Sequence, residues 1–324
     1  MARIVVIATG GTIASTTGPA GGGAVAQRSA ADITADMSFG SVQVESQDLF
    51  SRGSYLLEHR DLRLIVDAVR GAVARDDVDG VVITHGTDTM EETAFLLDLV
   101  HHGDKPVVLT GAQRAADQPD TDGPRNVRDA VAVAAALDAR GLGSVIVFDG
   151  LIFPAARTRK QHTIASEPFA ALDAGPVGQV RDGEVCIHAR AVRPGALPSP
   201  DERFDHTRVD VVVLYPGADA VLPRAAVAAG AAAVVLAGTG VGNTNHTVVD
   251  WARDAVRSGT VVALGTRVAE GPVLPLYGNG GGVDLMAAGA VSLGSLPLYH
   301  GRLLLALLLS QGTTVTEDAL RPYV

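Results

Sequence analysis

Two short segments set hydroxyl side chains among glycines where an apolar run ends. Arg3 to Ala8 leads into Thr9-Gly10-Gly11-Thr12, and Gly80 to Thr84 leads into His85-Gly86-Thr87-Asp88-Thr89. Glycine lets a chain turn tightly at the end of a strand, so the residue that follows is presented outside the core. A threonine hydroxyl in such a place is a weak nucleophile. It attacks an acyl carbon only with a base or a preorganised oxyanion site beside it. Bases are few in this chain: His85 lies at a strand end, and Lys160 sits in the run PAARTRKQHT from Pro154 to Thr163.

Plainer readings compete with each of these. Thr89 with Glu92 fits a capping box for a helix beginning at Met90. That leaves Thr87 and Asp88 without a capping task, and a solvated turn is the plain alternative for both. A single histidine at a strand end is usually structural, and Lys160 reads equally as part of an exposed basic loop. Neither glycine turn is G-x-G-x-x-G or carries the lysine of a phosphate loop, and no G-x-S-x-G is present. There is no H-E-x-x-H, no pair of cysteines and no carboxylate cluster at ligand spacing, so no metal or cofactor is expected. Cys186 and His188 alternate on an expected strand and are read as packing.

The elements that must position these residues follow from hydrophobic periodicity. β-Branched runs at Arg3 to Ala8, Gly80 to Thr84, Lys105 to Leu109, Ser144 to Phe148, Val209 to Leu214, Ala232 to Ala237 and Thr260 to Leu264 read as strands buried on both faces. Helical periodicity covers Asp61 to Arg75, Met90 to His101, Asn126 to Ala139 and His246 to Ser258. Alternation of the two predicts an α/β fold with a doubly wound, mainly parallel sheet. The proline-bearing stretch Arg190 to Arg208 fits neither period. It divides a large domain, residues 1–190, from a smaller α/β domain, residues 209–324, with 191–208 as linker. Ser15 to Ala31 is too glycine-rich for a core element and predicts a lid over the first strand end.

Composition narrows the function. The 324 residues are 47% hydrophobic and 4% aromatic, a profile for a buried small-residue core. Net charge is −10, which disfavours nucleic acid. No stretch reaches the roughly 20 apolar residues of a membrane span, and the Leu303 to Leu309 run predicts a buried helix. The single apolar run at the N-terminus reads as a core strand and not as a signal segment. One cysteine cannot form an intrachain disulfide, which fits a reducing, cytoplasmic setting.

The segments ATGGTIA at 8–14, SQD at 46–48, ITHGTDTMEETA at 83–94, KPVVLTGAQR at 105–114, DGPRN at 122–126 and GVGNTN at 240–245 together resemble the bacterial L-asparaginase and glutaminase-asparaginase family. The likeness runs through nearly the whole chain. It implies an amidohydrolase that converts L-asparagine to L-aspartate and ammonia through a threonine acyl-enzyme, with no cofactor. It further implies Thr12 as nucleophile, Thr87, Asp88 and Lys160 as a second catalytic group, and Ser46, Gln47, Asp88 and Ala112 as substrate contacts. Asn245 would be supplied by a neighbouring subunit, in an intimate dimer paired into a tetramer. Lysine beside Asp88 is favoured as a cation unless burial prevails, and Lys160 is read as orienting Thr87 and Asp88.

Two residues of the family pattern are missing. No tyrosine precedes Tyr55, where the family's loop carries one, and the stretch Tyr277 to Ala290, YGNGGGVDLMAAGA, lacks the glutamate that meets it, near Gly282. Asp284, Asn279 and Tyr277 are the candidates to replace that device. A less charged ammonium site predicts weaker rejection of substrates without a free α-amino group. Glutamine is one methylene longer, worth about 1 to 3 kcal/mol of discrimination, and is the expected slower substrate. Three rivals stand beside this reading. One is an ammonia-supplying amidotransferase subunit, for which no extra N-terminal domain is seen. The others are a non-catalytic amino-acid sensor and a phosphate binder.

Overall fold

A computed structural model describes residues 1–17, 23–35 and 37–324, in two compact units, Met1–Ser199 and Pro200–Val324. In the first unit the chain forms β1 (Arg3–Gly10), β2 (Ser15–Thr16), β3 (Val25–Ala26), β4 (Gln43–Arg52), β5 (Gly80–Thr84) and β6 (Val107–Thr110). It continues through β7 (Ser144–Phe148), β8 (Leu151–Pro154), β9 (Thr158–Lys160), β10 (Phe169–Ala171), β11 (Gly178–Arg181) and β12 (Glu184–Ile187). Helices α1 (Ala30–Thr34), α2 (His59–Val73), α3 (Met90–Val100) and α4 (Gly123–Ala135) alternate with the strands. The main sheet has the order β12-β11-β8-β7-β6-β5-β1-β4. Neighbours from β4 to β7 run parallel, and β8, β11 and β12 extend the sheet antiparallel.

The parallel centre is an α/β sheet of the expected kind. β5, β6 and β7 are buried at every residue and β1 at all but Arg3, because helices cover both faces and no face is left for alternation. β4 escaped the hydrophobic reading for the opposite reason: it is the sheet's edge, with six of its ten residues exposed and polar. The antiparallel flank is equally irregular in sequence. Cys186 and His188, expected to pack, are exposed, since β12 is the other edge and turns Val185 and Ile187 inward instead.

The second unit holds α5 (Glu202–His206), β13 (Val209–Val213), α6 (Val221–Ala228), β14 (Ala233–Gly238), α7 (His246–Arg257), β15 (Val261–Thr266), α8 (Gly282–Ala287), β16 (Val291–Ser292), α9 (Leu298–Ser310) and α10 (Glu317–Leu320). Its four strands are parallel in the order β13-β14-β15-β16. The leucine run falls in α9, with Leu303 to Leu308 buried, and no helix among the described residues is long and apolar enough to cross a membrane.

The proline-bearing stretch up to Ser199 belongs to the first unit and is hydrogen-bonded to it. Arg190 donates to the Arg140 carbonyl at 2.7 Å, Arg193 Nε to Asp98 Oδ1 at 2.8 Å, and the Leu197 N–H to the Leu99 carbonyl at 2.7 Å. Beyond Pro200 the chain folds into the second unit, where Asp201 caps α5 and Phe204 is fully buried.

Candidate active site

Parallel α/β sheets bind ligands beyond the carboxyl ends of their strands, and a cleft of about 250 Å³ opens there in the first unit. Its walls are the turn after β1 (Gly11, Thr12, Ser15), the β3 segment (Ala24 to Ala26), the end of β4 (Ser51 to Leu56) and the turn after β5 (Gly86 to Asp88). A small polar molecule of amino-acid size fits such a volume. The centre of the expected lid, residues 18–22, lies outside the described residues; its ends pair as β2 and β3, and Val25 from that ribbon faces the cleft.

Glycines bring the two threonines together. Gly11 has φ +81°, and a Cβ built on it would lie 2.4 Å from the Gly86 nitrogen and 2.5 Å from the Gly86 Cα. The turns after β1 and β5 therefore touch backbone to backbone, which no other residue type allows. Ser15 fixes the first turn by donating to the Gly11 carbonyl at 2.8 Å, and the Gly11 N–H donates to the Arg52 carbonyl at 2.9 Å. Thr9 is structural, its hydroxyl donating to the Thr84 carbonyl at 2.9 Å. Thr12 is half-buried on the cleft wall, and among the described residues nothing hydrogen-bonds its hydroxyl.

Behind the second turn stands Lys160, at the end of β9. Its Nζ lies 2.8 Å from both Thr87 Oγ1 and Asp88 Oδ1, with the lysine mostly buried and the aspartate more than half exposed. The Thr87 hydroxyl donates to Gln113 Oε1 at 3.0 Å, and Gln113 Nε2 donates to the carbonyls of Thr163 (3.2 Å) and Ala165 (3.1 Å). The backbone N–H of Lys160 donates to the Glu91 carboxylate. Glu91 is carried inside by α3, whose residues are buried on nearly every side, and burial pushes its carboxyl up to about 7.

His85 is not a base for this site. It is fully buried and outside the cleft; its Nδ1 meets the Gly86 carbonyl at 2.7 Å, so that nitrogen carries the proton, and its Nε2 accepts from Thr93 at 3.0 Å. Burial lowers it to about 4, which leaves the ring neutral. The capping box expected at Thr89 is not formed: the Thr89 hydroxyl donates instead to the Ser54 carbonyl at 3.0 Å, which ties α3 to the end of β4.

The expected substrate contacts divide. Asp88 lines the cleft; Ser46 and Gln47 do not. They pair with Val6 and Ile7 in mid-strand, and Ser46 shares a 3.0 Å hydrogen bond with Thr34. Ala112 is fully buried just past β6, outside the cleft lining. Asn245, in the second unit, caps α7, accepting from the Val248 N–H at 3.1 Å and donating to the Ala218 carbonyl at 2.8 Å. Asp284 holds the GNGGG turn, accepting from the Gly280 N–H at 2.6 Å.

Sequence reasoning missed Ser54 and Tyr55, which follow β4 and line the cleft. Ser54 is buried with its hydroxyl unpartnered among the described residues, 2.6 Å from where a Cβ on Gly86 would stand. The DGPRN motif proves to be a brace: Asp122 accepts from the N–H groups of Gln113 and Arg114 at 2.9 to 3.1 Å, and Asn126 donates to the Gly111 carbonyl at 3.0 Å.

Residues 3–193 match the family model described as asparaginase, N-terminal, and residues 208–320 match the glutaminase/asparaginase C-terminal domain. A probable L-asparaginase of Deinococcus radiodurans is 35% identical over 99% of this chain and 97% of its own. L-asparaginase 2 of Bacillus subtilis is 33% identical over 84% of this chain and 75% of its own, and a glutaminase-asparaginase of Pseudomonas aeruginosa 32% over 84% and 77%. With both halves matched in order, the chain belongs to the asparaginase family.

Proposed function

We propose that this chain is an L-asparaginase, hydrolysing the side-chain amide of asparagine to give aspartate and ammonia. The observation that carries the reading is the cleft lined by Thr12, whose hydroxyl has no hydrogen-bond partner among the described residues, and by Thr87 and Asp88, both held by Lys160. Thr12 attacks the amide carbon while backbone N–H groups of the glycine turns receive the developing oxyanion; the Thr12 hydroxyl proton passes to the amide nitrogen, which departs as ammonia, and water then cleaves the threonyl ester to give aspartate and restore the hydroxyl. Lys160 acts as a cation that holds Thr87 and Asp88 in place. Asp88 takes the substrate ammonium, and the unpartnered Ser54 hydroxyl, in place of Ser46, takes its carboxylate.

The same reading makes the protein a cytoplasmic homotetramer built from intimate dimers, with Asn245 serving the neighbouring subunit. The test measures ammonia release from asparagine, glutamine, their D forms and N-acetyl-asparagine, with Thr12→Ala as control. Asparagine is expected to be fastest and glutamine slower, with Thr12→Ala at background. No ammonia from any of them, or full activity without the Thr12 hydroxyl, would end the proposal.

A further inference from the structure

The direction of every proton around Thr87 is fixed by Gln113. The Gln113 amide faces two backbone carbonyls, of Thr163 and Ala165, on one side and the Thr87 hydroxyl on the other. Carbonyls only accept, so the NH₂ end must point at them and the oxygen end at Thr87. A threonine hydroxyl has one proton, and here it goes to Gln113 Oε1 at 3.0 Å. Lys160 is left as the donor to Thr87, and it donates to Asp88 as well.

From this we infer that Gln113 is a positioning residue, which holds the Thr87 proton away from Lys160 and locks the Lys160 hairpin to the threonine turn. The deduction rests on the proposed amidase reading only for what the pair does in turnover; the orientation itself rests on the hydrogen bonds. The lock has two further fasteners. His162 Nδ1 accepts from the N–H groups of Ile164 (3.1 Å) and Ala165 (2.9 Å), shaping the turn whose carbonyls Gln113 reads. Asp122 holds the Gln113 N–H from the other side, at 3.0 Å to its nearer oxygen. Thr87 thus cannot pass a proton to Lys160 without first breaking its bond to Gln113.

Two substitutions separate this role from bulk packing. Gln113→Met keeps the length and removes both hydrogen-bonding ends. Its kcat on asparagine is expected to fall roughly 10- to 100-fold, with KM changed less than about threefold, because a misdirected group costs rate before binding. Gln113→Glu keeps an acceptor for Thr87 but turns a carboxylate toward two carbonyls, and only its protonated form restores a donor. The kcat of Gln113→Glu is therefore expected to rise toward that of the wild type as pH falls through the new carboxyl's titration, a limb absent from the wild-type profile. Circular dichroism and melting temperature establish that both variants fold. If wild type releases no ammonia, it is the amidase reading that fails. If wild type is active and Gln113→Met matches it in kcat, or a folded Gln113→Glu shows the wild-type pH profile, the positioning role is overturned.

Discussion

Ser54 carries a distinction that no hydroxyl count could make. A buried hydroxyl left without a partner loses the hydration it had in the unfolded chain, a penalty of about 1 to 3 kcal/mol, and a ligand oxygen in the cleft would remove it. Ser54→Ala is expected to raise KM for asparagine about tenfold with kcat little changed, whereas Ser46→Ala leaves both unchanged; steady-state kinetics decide, and the reverse pattern would return the role to Ser46. Two neighbouring groups then set opposite pH slopes. Burial lifts Glu91 to about 7 from its ordinary 4.5, so the folded chain binds more protons and stability falls as pH rises between those values. Burial lowers His85 to about 4 from 6.5, so stability falls as pH drops through that window instead. The slopes oppose each other between about pH 4.5 and 6.5. Glu91→Gln should gain stability over wild type as pH rises from 5 to 7, with a ceiling of about 3 kcal/mol. His85→Gln should lose the acid-side slope. Urea denaturation across pH reads both, and variant curves parallel to that of the wild type would exclude these groups.

At the scale of elements, the site exists because two strand ends meet at glycine. Gly11→Ala would need a side chain at φ +81° and would drive a Cβ into the Gly86 backbone. A loss of about 3 kcal/mol or more is expected, with activity lost as Thr12 separates from Thr87. Gly71, at an open position inside α2, is the control: Gly71→Ala should raise stability by about 0.5 to 1 kcal/mol. Thermal melts compare the two, and an unperturbed Gly11→Ala would refute the backbone contact. These turns were legible in the sequence because glycines and hydroxyls follow fully buried apolar runs. Ser54 was not, because its position depends on register. Gly10 pairs with Arg52 and Val6 with Ser46, so Ser46 stands level with a residue four positions, about 13 Å, before the end of β1, and six residues before the end of β4. An exposed edge strand has no apolar run to mark where it stops, and the SQD triplet lies in mid-strand, outside the cleft lining. The Gln113 clamp was hidden for a related reason: its partners are backbone carbonyls about fifty residues away, which leave no mark in residue type.

At the scale of the whole molecule, the task proposed for the second unit is to bring Asn245 to the site of a neighbouring subunit. Asn245 already has a structural task, its amide oxygen capping α7 and its NH₂ end holding the Ala218 carbonyl ahead of α6. Asn245→Ala should cost about 1 kcal/mol through loss of the cap alone, which would obscure any catalytic effect. Asn245→Asp keeps the capping acceptor and removes the amide donor, which also breaks the bond to the Ala218 carbonyl, so a thermal melt of the variant must accompany the assay. In an isologous dimer each chain would give Thr12 to one site and Asn245 to the other. Mixing inactive Thr12→Ala with an impaired Asn245→Asp, unfolding and refolding together, should then form hybrid dimers. Half of the dimers are hybrids and half of their sites are intact, so about a quarter of wild-type ammonia release should return. Light scattering reports the assembly, and the ammonia assay reports the recovery. If Asn245→Asp is fully active alone, or the mixture recovers nothing although hybrids form, Asn245 is a helix cap and nothing more.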